Sequence, residues 1–280
     1  MKHNMWKTAT IILYLLAALL SAFWLTPQIV QRSPDISEMI SPGILIGLII
    51  GIVIGSAIAW WYLLKHFKPK NVDWLMGIVI AASVMRVCTL FIPFMDEVSW
   101  TAFIVRAAVT MFFLFGFIYV LRKMQQSWSE TLRWYFVVNF LMVFAIATTS
   151  IYVGLMMRPW VAAVILLVLA IYDAIAVWKL GSMVQLAQFF MERRIVPAIA
   201  IPYKEEEGRF ALLGGGDVFA MIFVSVSFWK VDQLAMYCVG IGSFSALVLL
   251  LFFSQKKKFY PALPFMFVGY LVGLGVWWLL

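Results

Sequence analysis

Apolar residues run through this chain in long blocks, and the charged residues collect in the gaps between them. The blocks fall at residues 9–25, 42–64, 74–95, 100–121, 134–157, 159–178, 210–229, 234–253 and 261–280. Most reach the roughly 20 residues that carry a helix across a ~30 Å hydrocarbon core. Lipid offers backbone N–H and C=O groups no partner, so a spanning segment of this kind must satisfy them internally as helix. The pattern therefore predicts an all-α membrane protein of nine transmembrane helices with its termini on opposite sides. Most connecting segments are short, as antiparallel neighbours in a bundle require. Residues 1–158 hold five of these spans. Residues 159–280 hold the other four and a longer connecting segment, 181–209.

That segment has three parts. An apolar-rich stretch from Met183 to Met191 reads as an interfacial helix with Val184, Ala187 and Met191 on one side. The run Ile195 to Tyr203 cannot be helical throughout, because Pro197 and Pro202 each lack a backbone donor and bias the preceding residue toward extended conformations. It reads as a β-like strand or a lid, with a membrane-resting linker as the alternative. Charged residues from Lys204 to Arg209 complete it. Elsewhere the spacing Gly47, Gly51, Gly55 suits close helix packing in the second span.

Composition agrees with the pattern: 65% of residues are hydrophobic and 12% charged, where a soluble domain carries about a quarter charged. The reading is a multi-pass protein of the cell membrane. Lys and Arg gather in loops that face the cytoplasm. Sixteen of the 21 fall in one alternate set of loops and three in the other, namely Arg32, Arg158 and Lys230, while Arg86 and Arg106 fall within spans near their outer ends. This puts the N-terminus in the cytoplasm and the C-terminus outside. It also accounts for the net charge of +8, so the basic balance does not call for nucleic acid as a partner. Lys2 and Lys7 before an apolar stretch could suggest a secretory signal, but no small-x-small cleavage site precedes Pro27, and the first span is read as retained. Cys88 and Cys238 lie within spans, where free cysteine is ordinarily a small packing residue.

Only two of the thirteen carboxylates, Asp173 and Asp217, lie deep inside the apolar blocks. A carboxylate in hydrocarbon is costly and is usually kept for a function, so two on adjacent spans ask for a joint explanation. Asp173 follows Tyr172 and precedes Lys179 by ~9 Å of helix, and Asp217 follows Arg209 by ~12 Å. The two depths agree within about one helical turn. Adjacent antiparallel helices then bring the carboxyl groups together. Two such groups at hydrogen-bonding distance hold one proton between them over a broad pH range. The ionised member can act as general base on water while the protonated member donates to a scissile carbonyl oxygen, which is the chemistry of peptide hydrolysis without a covalent intermediate. No metal or cofactor is implied.

Two further irregularities flank the pair. Gly214, Gly215 and Gly216 immediately precede Asp217, although glycine costs about 1 kcal/mol in a helix interior. Absent side chains would let a substrate backbone approach and admit water. The ninth span opens with Pro261-Ala262-Leu263-Pro264. Taken alone this is a common helix start, but it lies at the same predicted membrane level as the aspartates.

Tyr172-Asp173, the Gly-x-Gly-Asp pattern at Gly214–Asp217, and Pro261-Ala262-Leu263 together resemble the three signatures of the presenilins and signal peptide peptidases, the intramembrane aspartyl proteases. Their order and their placement on the sixth, seventh and ninth of nine spans match as well. The chain looks most like an archaeal presenilin homologue, and its charge asymmetry favours the presenilin orientation over the inverted one. The resemblance implies catalytic roles for Asp173 and Asp217 and a supporting, substrate-positioning role for the Pro261–Leu263 segment. It also implies single-span membrane proteins or peptides as substrates, and an Ile195–Tyr203 run that adds a strand to an unwound substrate. The segment 181–209 is much shorter than the corresponding loop of animal presenilins, and no internal maturation site can be read in it.

Other chemistries fare worse. His3 and His66 are the only histidines, neither lies within an H-E-x-x-H helix, and neither lies deep within a span, so a zinc protease and a serine–histidine dyad both lack parts. The rival from another class is a proton-coupled transporter or channel that uses the paired carboxylates as a relay. It explains the aspartates but not the motifs around them.

Overall fold

A few capping residues decide where the chain enters and leaves its helices. Ser127 takes an extended backbone and its hydroxyl accepts from the Glu130 N–H at 3.2 Å, which starts one long helix. Arg158, also extended, hands over to Pro159, whose fixed φ suits a first helical position. The computed structural model describes residues 5–32, 78, 81, 100–180, 198–202, 210–253 and 260–280. Among these it has α1 (Met5–Arg32), α2 (Trp100–Gln126), α3 (Trp128–Leu155), α4 (Pro159–Ile175) continuing as a π-helical turn (Ala176–Leu180), α5 (Gly215–Val226), α6 (Gln233–Phe253) and α7 (Ala262–Leu279).

All but α5 are long and apolar enough to cross a bilayer, and their outer faces carry exposed large apolar side chains such as Phe112, Phe253 and Trp278. The protein is a multi-pass integral membrane protein, mostly helical. The predicted spans at 42–64 and 74–95, the Gly47–Gly55 spacing and the Met183–Met191 stretch lie outside the described residues, apart from the helical positions Ile78 and Ala81.

One core joins α1 and α3–α7. Leu15, Leu25 and Ile29 of α1, Ile151 of α3, Leu166 of α4, Phe223 of α5, Met236 of α6 and Met266 of α7 belong to a single cluster, all fully or almost fully buried. Several buried polar side chains are satisfied locally: Thr26, Thr148 and Ser150 each donate to a carbonyl four residues back at 2.6–2.8 Å. Ser225 of α5 donates across to the Met236 carbonyl of α6 at 2.7 Å. The tightest helix contact is between α6 and α7, where a Cβ at Gly242 would run into the Gly269 carbonyl. Glycine lets these two backbones touch.

The expectation of an all-helical chain needs one amendment. Ala198–Pro202 (β1) and Phe210–Gly214 (β2) form a two-stranded antiparallel sheet, with Ile199 opposite Leu213 and Ala200 opposite Leu212. The predicted strand in the Ile195–Tyr203 run is present. The predicted seventh span, 210–229, is not one helix: its first five residues are strand, and α5 is only 12 residues, ~18 Å long. Apolar content alone does not separate a short strand from a helix start, and the pairing with β1 decides it here.

The pairing parity of the ribbon follows from one contact. Buried Asn139 of α3 donates from Nδ2 to the Ala200 carbonyl at 2.8 Å and accepts at Oδ1 from the Ala200 N–H at 3.0 Å. The backbone of Ala200 therefore faces away from β2, and so do those of Ala198 and Pro202, while Ile199 and Ile201 bond to β2. Pro202 sits where its missing N–H removes no ladder bond. On β2 the outward residues are Phe210, Leu212 and Gly214.

Candidate active site

Asp173 lies on α4 just before the helix widens into its π-helical turn. Its partner group comes from the start of α7. Within Pro261-Ala262-Leu263-Pro264 the two prolines have no N–H, so the first turn of α7 presents the donors of Ala262 and Leu263 alone. Leu263 N–H donates to Asp173 Oδ2 at 3.2 Å, and the Ala262 N–H also bonds to this carboxylate. The contribution of this motif is thus main-chain: Pro261 and Ala262 are buried, and the Leu263 side chain packs against the core.

Asp217 is the third residue of α5, and its carboxylate folds back to accept from the N–H of Gly214, the helix N-cap and the last residue of β2. This is the carboxylate half of a capping box. A Cβ built on Gly214 would lie 2.8 Å from Asp217 Oδ2, so the glycine is there because the carboxylate occupies the space a side chain would take. Gly216 differs: a Cβ there would meet nothing within 4 Å. Gly215, the first residue of α5, is half-buried.

Asp173 and Asp217 lie within electrostatic reach of each other. Each carboxylate also stands at the N-terminus of a helix, α7 for Asp173 and α5 for Asp217, where aligned peptide dipoles favour negative charge. The arrangement places two sets of contacts, Asp217 with the end of β2 and Asp173 with the first turn of α7, within electrostatic reach of each other. The helical depth used to match Asp217 to Asp173 is corrected by the strand at 210–214, which replaces helix over most of the way from Arg209, while the two helices that carry the aspartates, α4 and α5, do pack against each other.

Tyr172 is not drawn into this set in the same way. It is 40% exposed, and adjacent residues on a helix do not share a face. Among the described residues there is no group of three or more His, Cys, Asp or Glu suited to a metal ion. Sequence reasoning passes over Asn139. Its signal is nonetheless present, since an asparagine in the middle of the apolar block 134–157 must find a partner away from lipid.

No protein-family model matches the chain, and no curated protein matches it. Solved structures do. A structure of a presenilin family intramembrane aspartate protease in space group C222 superposes with a TM-score of 0.61 at 19% sequence identity, covering 96% of this chain and 97% of that one. A second, in space group P2, gives a TM-score of 0.62 at 19% identity, with 95% of each chain covered. This chain therefore shares the fold of those structures over nearly its whole length.

Proposed function

We propose that this chain is an intramembrane aspartyl endopeptidase that hydrolyses peptide bonds within or near the transmembrane segments of single-span substrates. The observation that supports the reading is that Asp173 and Asp217, each held by backbone N–H at a helix start, lie within electrostatic reach of each other beside the end of a β-strand. Asp173 and Asp217 share one proton. The ionised carboxyl takes a proton from water, and the other donates to the scissile carbonyl oxygen as the tetrahedral diol forms. The pair acts as a unit, and neither member is assigned the proton at rest.

A transmembrane helix hides its carbonyls in its own hydrogen bonds, so the substrate must be extended before water can attack. The ribbon supports that step. The expectation that the Ile195–Tyr203 run itself receives the substrate fits poorly, because the outer edge of β1 is taken at Ala200 by Asn139. The outward edge of β2 leads directly to Gly214 and Asp217. An extended substrate adds there as a third strand. Exposed Gly216 gives it room, and Tyr172 contacts substrate or lipid beside the pair.

In this reading the chain spans the membrane nine times with its N-terminus in the cytoplasm, residues 159–280 forming the catalytic part carried on residues 1–158. Incubation of the purified protein with a single-span peptide, with and without a transition-state mimic, tests the activity. Cleavage with no ion gradient, blocked by the mimic, is expected, and a protein that leaves the peptide intact under these conditions is not this enzyme.

A further inference from the structure

Among the described residues, Asn139 is the one polar side chain of α3 that reaches the ribbon through two hydrogen bonds, to a residue 61 positions away in sequence. It is 1% exposed, and the Tyr14 hydroxyl of α1 adjoins it. A carboxamide presents a donor and an acceptor side by side, as a peptide group of a neighbouring strand does. A helix cannot offer its own backbone to a strand edge, because that backbone is already paired. One asparagine side chain can stand in for it.

We propose that Asn139 is a positioning residue that closes the outer edge of β1 and fixes the register of the ribbon, so that substrate is received on β2 alone. This rests on the protease reading above. The contact has three consequences. It satisfies the donor and acceptor that Ala200 turns outward in a buried setting, where an unpaired pair is costly. It anchors β1 to the main core, since Ile199 and Ile201 lie in that cluster beside α1, α3 and Leu213. It also sets parity. Because Ala200 faces Asn139, Leu213 pairs inward and Gly214 turns outward, which is what points the Gly214 N–H at Asp217. A ribbon slipped by one residue would turn the Ile199–Leu213 face out of the core, so release of the clasp permits slips of two residues.

The test uses the purified full-length chain and a single-span peptide. Wild type, Asn139→Leu (same size, no hydrogen bonds) and Asn139→Asp (acceptor kept) are compared for KM, kcat and the masses of the products, with thermal melting and binding of a transition-state mimic measured alongside. Loss of two hydrogen bonds is expected to raise KM about tenfold in Asn139→Leu with kcat changed by less than about threefold. New products offset by two residues should accompany it, with Asn139→Asp intermediate. If Asn139→Leu melts and binds the mimic as wild type does, yet keeps its KM and product masses, the proposal fails. It fails equally if activity drops only in proportion to lost folded protein with product masses unchanged. Should Asn139→Leu not fold, a short-range photo-crosslinking residue in the peptide, used with the wild-type protein, decides: adducts on 210–214 support the closed β1 edge and adducts on 198–202 overturn it. A wild-type protein that cleaves nothing overturns the protease reading itself, a different result from a cleaving wild type with indifferent Asn139 variants.

Discussion

Gly214→Ala separates the folding role of this glycine from its role in positioning Asp217. The backbone at Gly214, φ −57° and ψ 133°, is open to alanine, so no strain arises from the dihedral angles. The added Cβ would lie 2.8 Å from Asp217 Oδ2, whereas ordinary contact begins at 3.4 Å, so the carboxylate must retreat by about 0.6 Å. It is the free end of a side chain and can do so cheaply. Losing its bond to the Gly214 N–H and placing alanine at an N-cap costs about 1 kcal/mol, a shift of a few degrees in melting. Catalysis is less forgiving, because a misplacement approaching 1 Å costs up to ~100-fold. A 10- to 100-fold fall in kcat on a single-span peptide is therefore expected, with melting of the detergent-solubilised protein lowered only slightly. A Gly214→Ala protein with kcat within about twofold of wild type would refute the argument that the glycine exists to hold this carboxylate.

Gly216→Ala puts its Cβ into open space and replaces glycine inside a helix, so melting should rise by up to ~1 kcal/mol equivalent, while any loss of activity should fall on KM, reflecting substrate approach. Gly242→Ala drives a Cβ into the Gly269 carbonyl and should destabilise the α6–α7 pair by about 1–3 kcal/mol in denaturation of the solubilised protein. Leu263→Ala keeps the N–H that holds Asp173 and should lower kcat less than about tenfold despite some lost packing, which steady-state cleavage would read directly.

What can be read from sequence follows from which residues are anomalous where they stand. Asp173 and Asp217 are legible because carboxylates are costly in spans, and the β1 strand because Pro197 and Pro202 exclude a continuous helix. The helix start at Gly215 is not: Phe210-Ala211-Leu212-Leu213 is as apolar as a span, and its pairing partner lies across the connecting segment. Pro261-Ala262-Leu263 draws attention to its side chains, whereas the contact that matters is made by main-chain N–H groups that no residue type announces. Charge substitution at Ile199 or Ile201 suggests itself from sequence as a test of substrate pairing. Both side chains prove to be buried in the main core, so that change would probe folding instead.

The central claim is that Asp173 and Asp217 together turn water against a peptide bond. Mass analysis of a single-span peptide incubated with purified wild type, Asp173→Asn and Asp217→Asn proteins tests it most directly. Discrete products from wild type and none from either folded variant are the expected result, because an amide can neither take nor give the proton. Products from either variant at a rate near that of wild type would contradict it.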